Sequence, residues 1–176
     1  MNLDTLRAIC KGTKVGRLQP FVVPLDEAMT EFCIDTPARQ AAFLAQIAHE
    51  SGCFYYTREI ASGDAYEGRA DLGNTEPGDG RKFRGRGLMQ VTGRDAYGQC
   101  SMALYGDERL LDTPELLEQY DNACRSACWF WQSRDLNELA DAGDFRRITL
   151  KINGGLTHYG ERQLLWERAK AALKTA

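Results

Sequence analysis

Two glutamates, Glu50 and Glu59, have the residue type and the setting that acid/base cleavage of a glycosidic bond requires. Such cleavage commonly uses one carboxyl that protonates the leaving oxygen and a second that stays ionised to activate water. Along one continuous helix their spacing would place the two side chains on opposite faces. Both can face one cleft only if the helix stops between them, and Ser51 and Gly52 supply that break.

The local sequence predicts different ionisation for the two carboxyls. Glu50 follows the apolar run 43–48 at the end of a helix, where an apolar setting and the negative end of the helix dipole disfavour the ionised form. Glu59 lies beside Arg58 in a more polar segment, which favours the ionised form. We therefore predict Glu50 as general acid and Glu59 as general base. Without the buried helix before Glu50, a helix-end residue and a solvated surface charge would be the better interpretation.

His49 and Glu50 open an HExxH pattern, but Cys53 stands where a zinc protease has its second histidine. His49 is then either a hydrogen-bonding neighbour of the cleft or a packed, satisfied histidine. The six cysteines include no CxxC pair, and Cys124 and Cys128 are better explained as packing residues on one helix face than as metal ligands. We predict neither a metal nor a cofactor.

A second polar constellation lies in residues 83–93, Phe-Arg-Gly-Arg-Gly-Leu-Met-Gln-Val-Thr-Gly. It is not a dinucleotide-binding GxGxxG motif, because Gln90 replaces the third glycine. In an extended chain Gln90 and Thr92 share one face, toward the cleft, while their neighbours pack into the core. The Thr92 hydroxyl can hold a water, and with Asp95 three residues on Thr92 also makes a plausible cap of the next helix; the two roles can coexist.

Asn153 lies in the sequence Ile-Asn-Gly-Gly at the predicted end of a helix. Two interpretations are equally compatible with the local sequence. The glycines form an ordinary helix C-cap, or the asparagine amide binds a sugar.

The elements that must position these residues are mostly helical. Thr36 and Pro37 predict a helix start, and the apolar positions that follow predict a buried, central helix ending near Ser51. Residues 53–60 predict a short strand or loop, and residues 62–80 a turn-rich lobe. Further helices are predicted at about 95–105, 114–120, 122–133, 135–142, 145–152 and 161–173, with caps at Thr113 and Asp121. The predicted fold class is α+β, mainly α, with a small β or loop lobe beside a helical domain.

Length and charge limit the classes of protein that fit. We expect 176 residues to form one catalytic domain, 1–176, with 1–35 as an N-terminal helical segment packed on it and no separate substrate-binding module. No apolar stretch approaches the roughly 20 residues that cross a bilayer, and the first residues do not resemble a secretory signal. The net charge of −3 argues against a nucleic-acid partner. We expect a monomer made in the cytoplasm.

The chain resembles glycoside hydrolase family 19, the plant-type chitinases, and within it the phage endolysin branch. The resemblance runs from about Pro24 to Leu173. Three blocks carry it in the family's order: Thr-Pro-Ala-Arg-Gln-Ala-Ala-Phe-Leu-Ala-Gln-Ile-Ala-His-Glu-Ser (36–51), Arg-Gly-Arg-Gly-Leu-Met-Gln-Val-Thr-Gly (84–93) and Ile-Asn-Gly-Gly (152–155).

The resemblance implies a lysozyme-like, mainly α fold with Glu50 as acid, Glu59 as base and Thr92 placing the water. It also places three residues, His49, Gln90 and Asn153, in the sugar groove and Arg162 in a supporting polar network. Related endolysins are released by a holin and hydrolyse peptidoglycan in the periplasm of Gram-negative hosts. We therefore expect a peptidoglycan glycan strand as the partner and an inverting mechanism.

Two departures from the family pattern bear on this expectation. The interval from Glu50 to Glu59 is shorter than in plant chitinases, which leaves Glu67 as an alternative base. Ala96 stands where many relatives carry an asparagine, so chitin is the less expected substrate.

Two other functions fit parts of the sequence. Glu50-Ser51 and the Gly-Leu-Met-Gln run 87–90 also resemble lytic transglycosylases, which use a single catalytic glutamate and leave an anhydro product. From a different class, the chain would be a non-catalytic wall-binding protein. The product formed from purified peptidoglycan distinguishes all three.

Overall fold

A computed structural model describes residues 1–174, and within them the chain is mainly helical. The α-helices of this part are Leu3–Ile9 (α1), Val15–Leu18 (α2), Val22–Glu31 (α3), Pro37–Glu50 (α4), Asp79–Lys82 (α5), Arg94–Tyr105 (α6), Arg109–Asp112 (α7), Tyr120–Gln132 (α8), Leu136–Asp141 (α9), Phe145–Asn153 (α10) and Tyr159–Leu173 (α11). Short 3-10 helices lie at Gln19–Phe21, Asp64–Tyr66, Ala70–Leu72 and Pro114–Glu118. The predicted mainly α fold class is confirmed.

Helix α4 is the central helix that the sequence predicts. The Thr36 hydroxyl accepts a hydrogen bond from the Arg39 amide at 3.2 Å, and Pro37 occupies the first helical position. Residues 41–48 are buried without interruption. On this helix Phe43 meets the indole of Trp131 edge-on, with ring centroids 5.4 Å apart, which joins α4 to α8. Helix α11 packs along the other side of α4.

The chain turns sharply where α4 ends. Ser51 Oγ donates to the Ile47 carbonyl at 2.6 Å and accepts from the Phe54 amide at 2.8 Å. Cys53 and Phe54 both take left-handed backbone angles, with φ of 56° and 67°, which non-glycine residues adopt only at an energetic cost. Of the predicted strand or loop at 53–60, the loop is observed, with an isolated β-bridge from Arg58 to Arg86.

The N-terminal helices pack on the helices of the main body. Helix α1 lies against α11, and α3 lies against α8. On α8, Cys124 and Cys128 are fully buried, as expected for packing residues, and burial raises the pKa of both thiols. The predicted cap at Asp121 is wrong, because α8 begins at Tyr120 after Gln119 and Asp121 lies inside the helix. Thr113 does precede the 3-10 helix Pro114–Glu118 as its N-cap residue, but its side chain makes no capping hydrogen bond.

Residues 51–93 form an irregular lobe whose polar side chains bind its backbone. The Glu67 carboxylate accepts hydrogen bonds from the amides of Gly78 and Gly80 at 2.6 and 2.8 Å. The Asn74 side chain donates to the Tyr66 carbonyl and accepts from the Arg94 amide, both at 2.9 Å. These bonds replace the ladder of a sheet, so the predicted lobe is present without a regular strand in the described residues.

Among residues 1–174, no helix combines the length and apolar character that crossing a bilayer would require.

Candidate active site

Glu50 lies in the last turn of α4 against a buried cation. Arg162 Nη2 of α11 is 2.5 Å from Glu50 Oε1, an ion pair whose atoms are not aligned as a hydrogen bond. The Glu50 side chain keeps 25% exposure, whereas Arg162 is buried. The purely apolar setting expected for Glu50 is therefore wrong, because a buried guanidinium lies directly against its carboxyl group.

Arg162 is itself held by polar side chains in the core. Its Nη1 donates to Gln46 Oε1 at 2.6 Å, and Gln46 Nε2 donates to Thr149 Oγ1 at 2.9 Å. Thr149 in turn donates to the Phe145 carbonyl at 3.0 Å. Sequence reasoning missed Gln46 and Thr149. The signal was present at Gln46, because a glutamine inside a fully buried helical run needs a buried partner.

His49 stands beside Glu50 and faces the start of α11. Its Nδ1 lies 3.8 Å from Glu161 Oε2, and its ring centroid lies 5.8 Å from that of His158. Burial and the Arg162 cation lower the pKa of His49, although Glu50 and Glu161 oppose the shift. The imidazole is therefore neutral at neutral pH, as either predicted role requires.

Glu59 is oriented by two donors from different parts of the lobe. The Tyr66 hydroxyl donates to Oε1 at 3.0 Å, and the Gly85 amide donates to Oε2 at 3.0 Å. The backbone pairing is reciprocal, because the Glu59 amide donates to the Gly85 carbonyl at 2.9 Å. Burial and the Glu59 carboxylate raise the pKa of Tyr66, which keeps the phenol protonated as a donor. Sequence reasoning missed Tyr66.

Gln90 and Thr92 lie next to Glu59 because Gly85 has no side chain. A Cβ on Gly85 would lie 2.6 Å from Gln90 Oε1, 3.2 Å from Glu59 Oε2 and 3.3 Å from Thr92 Oγ1. Gln90 takes a left-handed conformation with φ of 52°, so the segment is a turn. The predicted alternation still holds, since Met89 and Val91 are buried while Gln90 and Thr92 are partly exposed.

A buried arginine supports this turn from behind. The Arg86 guanidinium donates to the Lys82 carbonyl at 2.7 Å, to the Tyr97 hydroxyl at 3.0 Å and to Glu118 at 2.8 Å. Its backbone amide and carbonyl both pair with Val91. The turn that carries Gln90 is therefore tied to α5, α6 and the 3-10 helix Pro114–Glu118.

The structure tests the cap predicted at Thr92 and the glycine C-cap predicted after Asn153. Thr92 is not a helix cap: Gly93 precedes α6, and the Thr92 hydroxyl donates to the Gln90 carbonyl at 2.9 Å. Gly154 caps α10 with φ of 70°, so the glycine C-cap is present. Asn153 is exposed and donates to the Gly155 carbonyl at 3.3 Å, and its sugar contact stays a prediction.

The alternative base, Glu67, is engaged elsewhere. Both of its oxygens accept backbone amides of the segment 78–80. The contacts of Glu59, by contrast, bring Gln90 and Thr92 into its neighbourhood. This geometry favours Glu59 over Glu67 as the base.

An open depression of about 420 Å³ borders Glu59 on the surface. It is lined by aromatic and charged side chains, among them Tyr55, Tyr56, Arg58, Arg84 and Glu118. Exposed tyrosine rings beside fixed polar groups suit the apolar faces and hydroxyls of sugar rings.

Several known proteins are similar to this chain in sequence. No family model matches the chain. A Haemophilus influenzae protein described as a glycosyl hydrolase family 19 domain-containing protein is 31% identical over 159 residues, which cover 73% of this chain and 76% of that protein. Endochitinase At2g43620 of Arabidopsis thaliana is 37% identical over 115 residues, which cover 65% of this chain but only 38% of the plant enzyme.

The fold has a counterpart among solved structures. Chitinase C from Streptomyces griseus HUT6037 superposes with a TM-score of 0.79 at 21% identity, covering 99% of this chain and 77% of that one. The likeness spans the N-terminal helices, the central helix and the irregular lobe, so the fold expected from the sequence is confirmed.

Proposed function

Because the chain belongs to glycoside hydrolase family 19 and is therefore a glycoside hydrolase, we propose that its substrate is the glycan strand of peptidoglycan. In this proposal it is an endolysin that cuts β-1,4 bonds with inversion and causes lysis of a bacterial host. It is made in the host cytoplasm and acts on periplasmic peptidoglycan after holin-mediated release. The observation that carries the chemistry is the convergence of Glu59, Gln90 and Thr92 around Gly85.

In the proposed mechanism Glu50 gives a proton to the leaving glycosidic oxygen. Its carboxyl has one oxygen against Arg162, and its side chain is still open to a substrate. As the proton leaves, negative charge develops on Glu50 next to a guanidinium that is already in place. A preorganised charge of this kind stabilises the transition state without reorganisation. Arg162 thus acts through Glu50 as a positioning residue.

Glu59 takes the proton from the attacking water. Two hydrogen bonds, from the Tyr66 hydroxyl and the Gly85 amide, fix the orientation of its carboxyl group. The Thr92 hydroxyl and the Gln90 amide lie on the same side of Gly85 and hold the water and a sugar hydroxyl. His49 and Asn153 contribute further sugar contacts.

A basic side chain beside Glu59 supports an acidic glycan over neutral chitin. Arg84 lines the depression next to the proposed base, where Arg58 is 3.7 Å from Glu118. Peptidoglycan carries carboxylates on its peptide stems, whereas chitin is uncharged. The absence of the asparagine that the family pattern expects, at Ala96, also disfavours chitin.

The anomeric form of the first product tests the mechanism. Purified peptidoglycan digested by the wild type should release a reducing end with the α configuration, because water attacks the face opposite the β-bond. A 1,6-anhydro end would instead establish a lytic transglycosylase. Retention of the β configuration would exclude Glu59 as a base acting on water.

Glutamine variants of the three glutamates test the assignment of residues. Glu50→Gln and Glu59→Gln should each keep the fold and lower cleavage by several orders of magnitude, because each removes a proton-transfer group. Glu67→Gln is the control, and it should lose stability in the 78–80 segment with little loss of turnover. A larger loss of turnover in Glu67→Gln than in Glu59→Gln would make Glu67 the base.

A further inference from the structure

The depression beside Glu59 continues onto the N-terminal helices. A second depression of about 400 Å³ is lined by Lys14, Gly16, Arg17, Tyr55 and Tyr120, and it shares Tyr55 with the first. A third, of about 570 Å³, lies along α1 and shares Lys14 with the second. Together they form a path from the proposed base to the N-terminal segment. We call the part beyond Glu59 the basic track, defined by Tyr55, Tyr120, Arg17, Lys14, Lys11 and Arg7.

The basic track is a local excess of positive charge on a chain whose formal net charge is −3. Residues 1–20 contain four basic side chains and one acidic side chain, and all four basic residues are exposed. The acidic residue, Asp4, pairs with Arg7 at 3.3 Å. Lys11, Lys14 and Arg17 therefore keep their charge available along the path.

Aromatic contacts give the track a defined shape. The Arg17 guanidinium lies over the Tyr55 ring at 5.0 Å, a cation–π contact that holds the charge at the second depression. Tyr120 meets Phe21 edge-on at 4.9 Å. Tyr55 and Tyr120 stay 45% and 49% exposed, although both rings are held by neighbours. Two partly exposed tyrosines and a guanidinium that lies over one of them form a surface suited to sugar rings and carboxylates.

An acidic residue of the first depression has its charge paired within the protein. Glu118 lies in this depression, where the buried Arg86 donates to it at 2.8 Å and Arg58 lies 3.7 Å from it. From the first depression to the second, the charged side chains of the lining change from two acidic and two basic residues to Lys14 and Arg17. A ligand that runs from Glu59 toward α1 therefore meets a more basic lining.

We propose that the basic track binds the acidic peptide stems of the peptidoglycan strand whose glycan is cut at Glu50 and Glu59. This inference rests on the proposed function and names the part of the substrate that distinguishes peptidoglycan from chitin. The stems branch from the glycan beside the cleaved bond, and their carboxylates complement Lys14 and Arg17. Tyr55 lies where the glycan leaves the first depression and the stem enters the second.

The test removes two positive charges from the track and, independently, removes the peptide stems from the substrate. The variant Lys14→Ala/Arg17→Ala is compared with Arg146→Ala/Arg147→Ala, a control that removes two exposed charges from α10. Each is combined with Glu50→Gln, and its binding to intact, insoluble sacculi is measured by co-sedimentation. An amidase removes the stems and with them the cross-links, which leaves soluble glycan strands, and binding to these strands is measured in solution by their competition with the sacculi. The same track and control substitutions in the active enzyme give KM and kcat.

We expect the track variant to bind intact sacculi about tenfold more weakly than the control and stripped strands equally well. Its KM on intact sacculi should rise by a similar factor with kcat unchanged, because a remote contact is made equally in ground and transition states. The difference should shrink as salt screens the charges. Equal losses on stripped strands, or no loss on either substrate, would overturn the proposal.

Two further outcomes would show that the track binds lipid instead of stems, or that the chain binds peptidoglycan without cutting it. Vesicles containing phosphatidylglycerol test an anionic lipid surface. If the substitutions abolish binding to those vesicles and leave binding to intact sacculi unchanged, the track is a lipid site and the proposal is wrong. If the wild type binds intact sacculi through the track but never cleaves them, the inference stands and the proposed function fails.

Discussion

The lack of a side chain at Gly85 determines how the groups around the proposed base are arranged. Gly85 donates its amide to Glu59 and leaves the space into which Gln90 and Thr92 reach. Its backbone is not in the left-handed region, so a larger residue is excluded by space and not by conformation. One position thus sets the distance between the base and the two groups that would hold water and sugar.

We predict that Gly85→Ala lowers kcat on peptidoglycan by about 100-fold, because it moves the groups around Glu59 by a fraction of an ångström to about 1 Å. The control is Gly160→Ala, where an added Cβ has open space and α11 accepts alanine. Initial rates well below the melting temperature are the measurement. Equal rates in the two variants would show that the convergence around Gly85 has no part in the reaction.

Helices α4 and α11 together fix the position of Glu50, because α4 carries it and α11 carries its partner Arg162. The sequence of α4 is sufficient to predict its start at Thr36, its burial and its end, because capping and apolar spacing are local properties. The partner of Glu50 is not a local property. Arg162 reaches it only because α11 packs along α4, and its spacing in the chain carries no signal of that contact.

We predict that Arg162→Gln lowers the free energy of unfolding by about 2–3 kcal/mol, because it leaves Glu50 and Gln46 without their partner. Breaking a fully buried pair costs about 3–5 kcal/mol, and solvent still reaches Glu50. The variant should also reduce kcat at least tenfold. Arg168→Gln, the same change on the same helix, is the control, since within residues 1–174 Arg168 donates a single hydrogen bond, to the Ile9 carbonyl. Chemical denaturation and initial rates are measured for both.

A loss of stability in Arg162→Gln with kcat unchanged would show that the ion pair supports the fold without acting through Glu50. A loss in both quantities is what the proposed mechanism requires.

For the whole molecule, the sequence predicted the helical body and the existence of the lobe, but not how the lobe closes. Helices repeat one local geometry, so periodicity reveals them. The lobe depends instead on single residues in unusual conformations, such as Cys53, Phe54 and Gln90 with positive φ. It also depends on contacts such as that of Tyr66 with Glu59, which no spacing rule encodes. The proposed base could therefore be chosen from its residue type and position, whereas its hydrogen-bond donors could not be predicted.

The pH dependence of the free energy of unfolding tests whether His49 is buried beside Glu50 and Arg162. Burial and the Arg162 cation lower its pKa in the folded state below the ordinary value of 6.5. As pH falls below 6.5, the unfolded chain takes up this proton before the folded protein does, so the free energy of unfolding falls. The loss continues until the pH passes the folded-state pKa. Carboxyl groups titrate mostly near pH 4. The Cys53 thiol, whose pKa is lowered to about 7 chiefly by its hydrogen bond with Cys10, titrates at the upper end of the window from pH 7 to 5. The effect of the histidine is therefore read from the difference between the wild-type and variant profiles, in which the contribution of Cys53 is shared.

We therefore expect wild-type stability, measured by urea denaturation, to decline from pH 7 to pH 5 more steeply than that of His49→Gln. The variant has no imidazole to protonate and loses only the smaller contributions of other groups. His158→Gln is the matched control, because this second histidine is exposed and its removal should keep most of the wild-type slope. If His158→Gln flattens the profile and His49→Gln does not, the proton is taken up at the surface. His49 would then not be held neutral between Glu50 and α11, and its place in the proposed sugar groove would have to be abandoned.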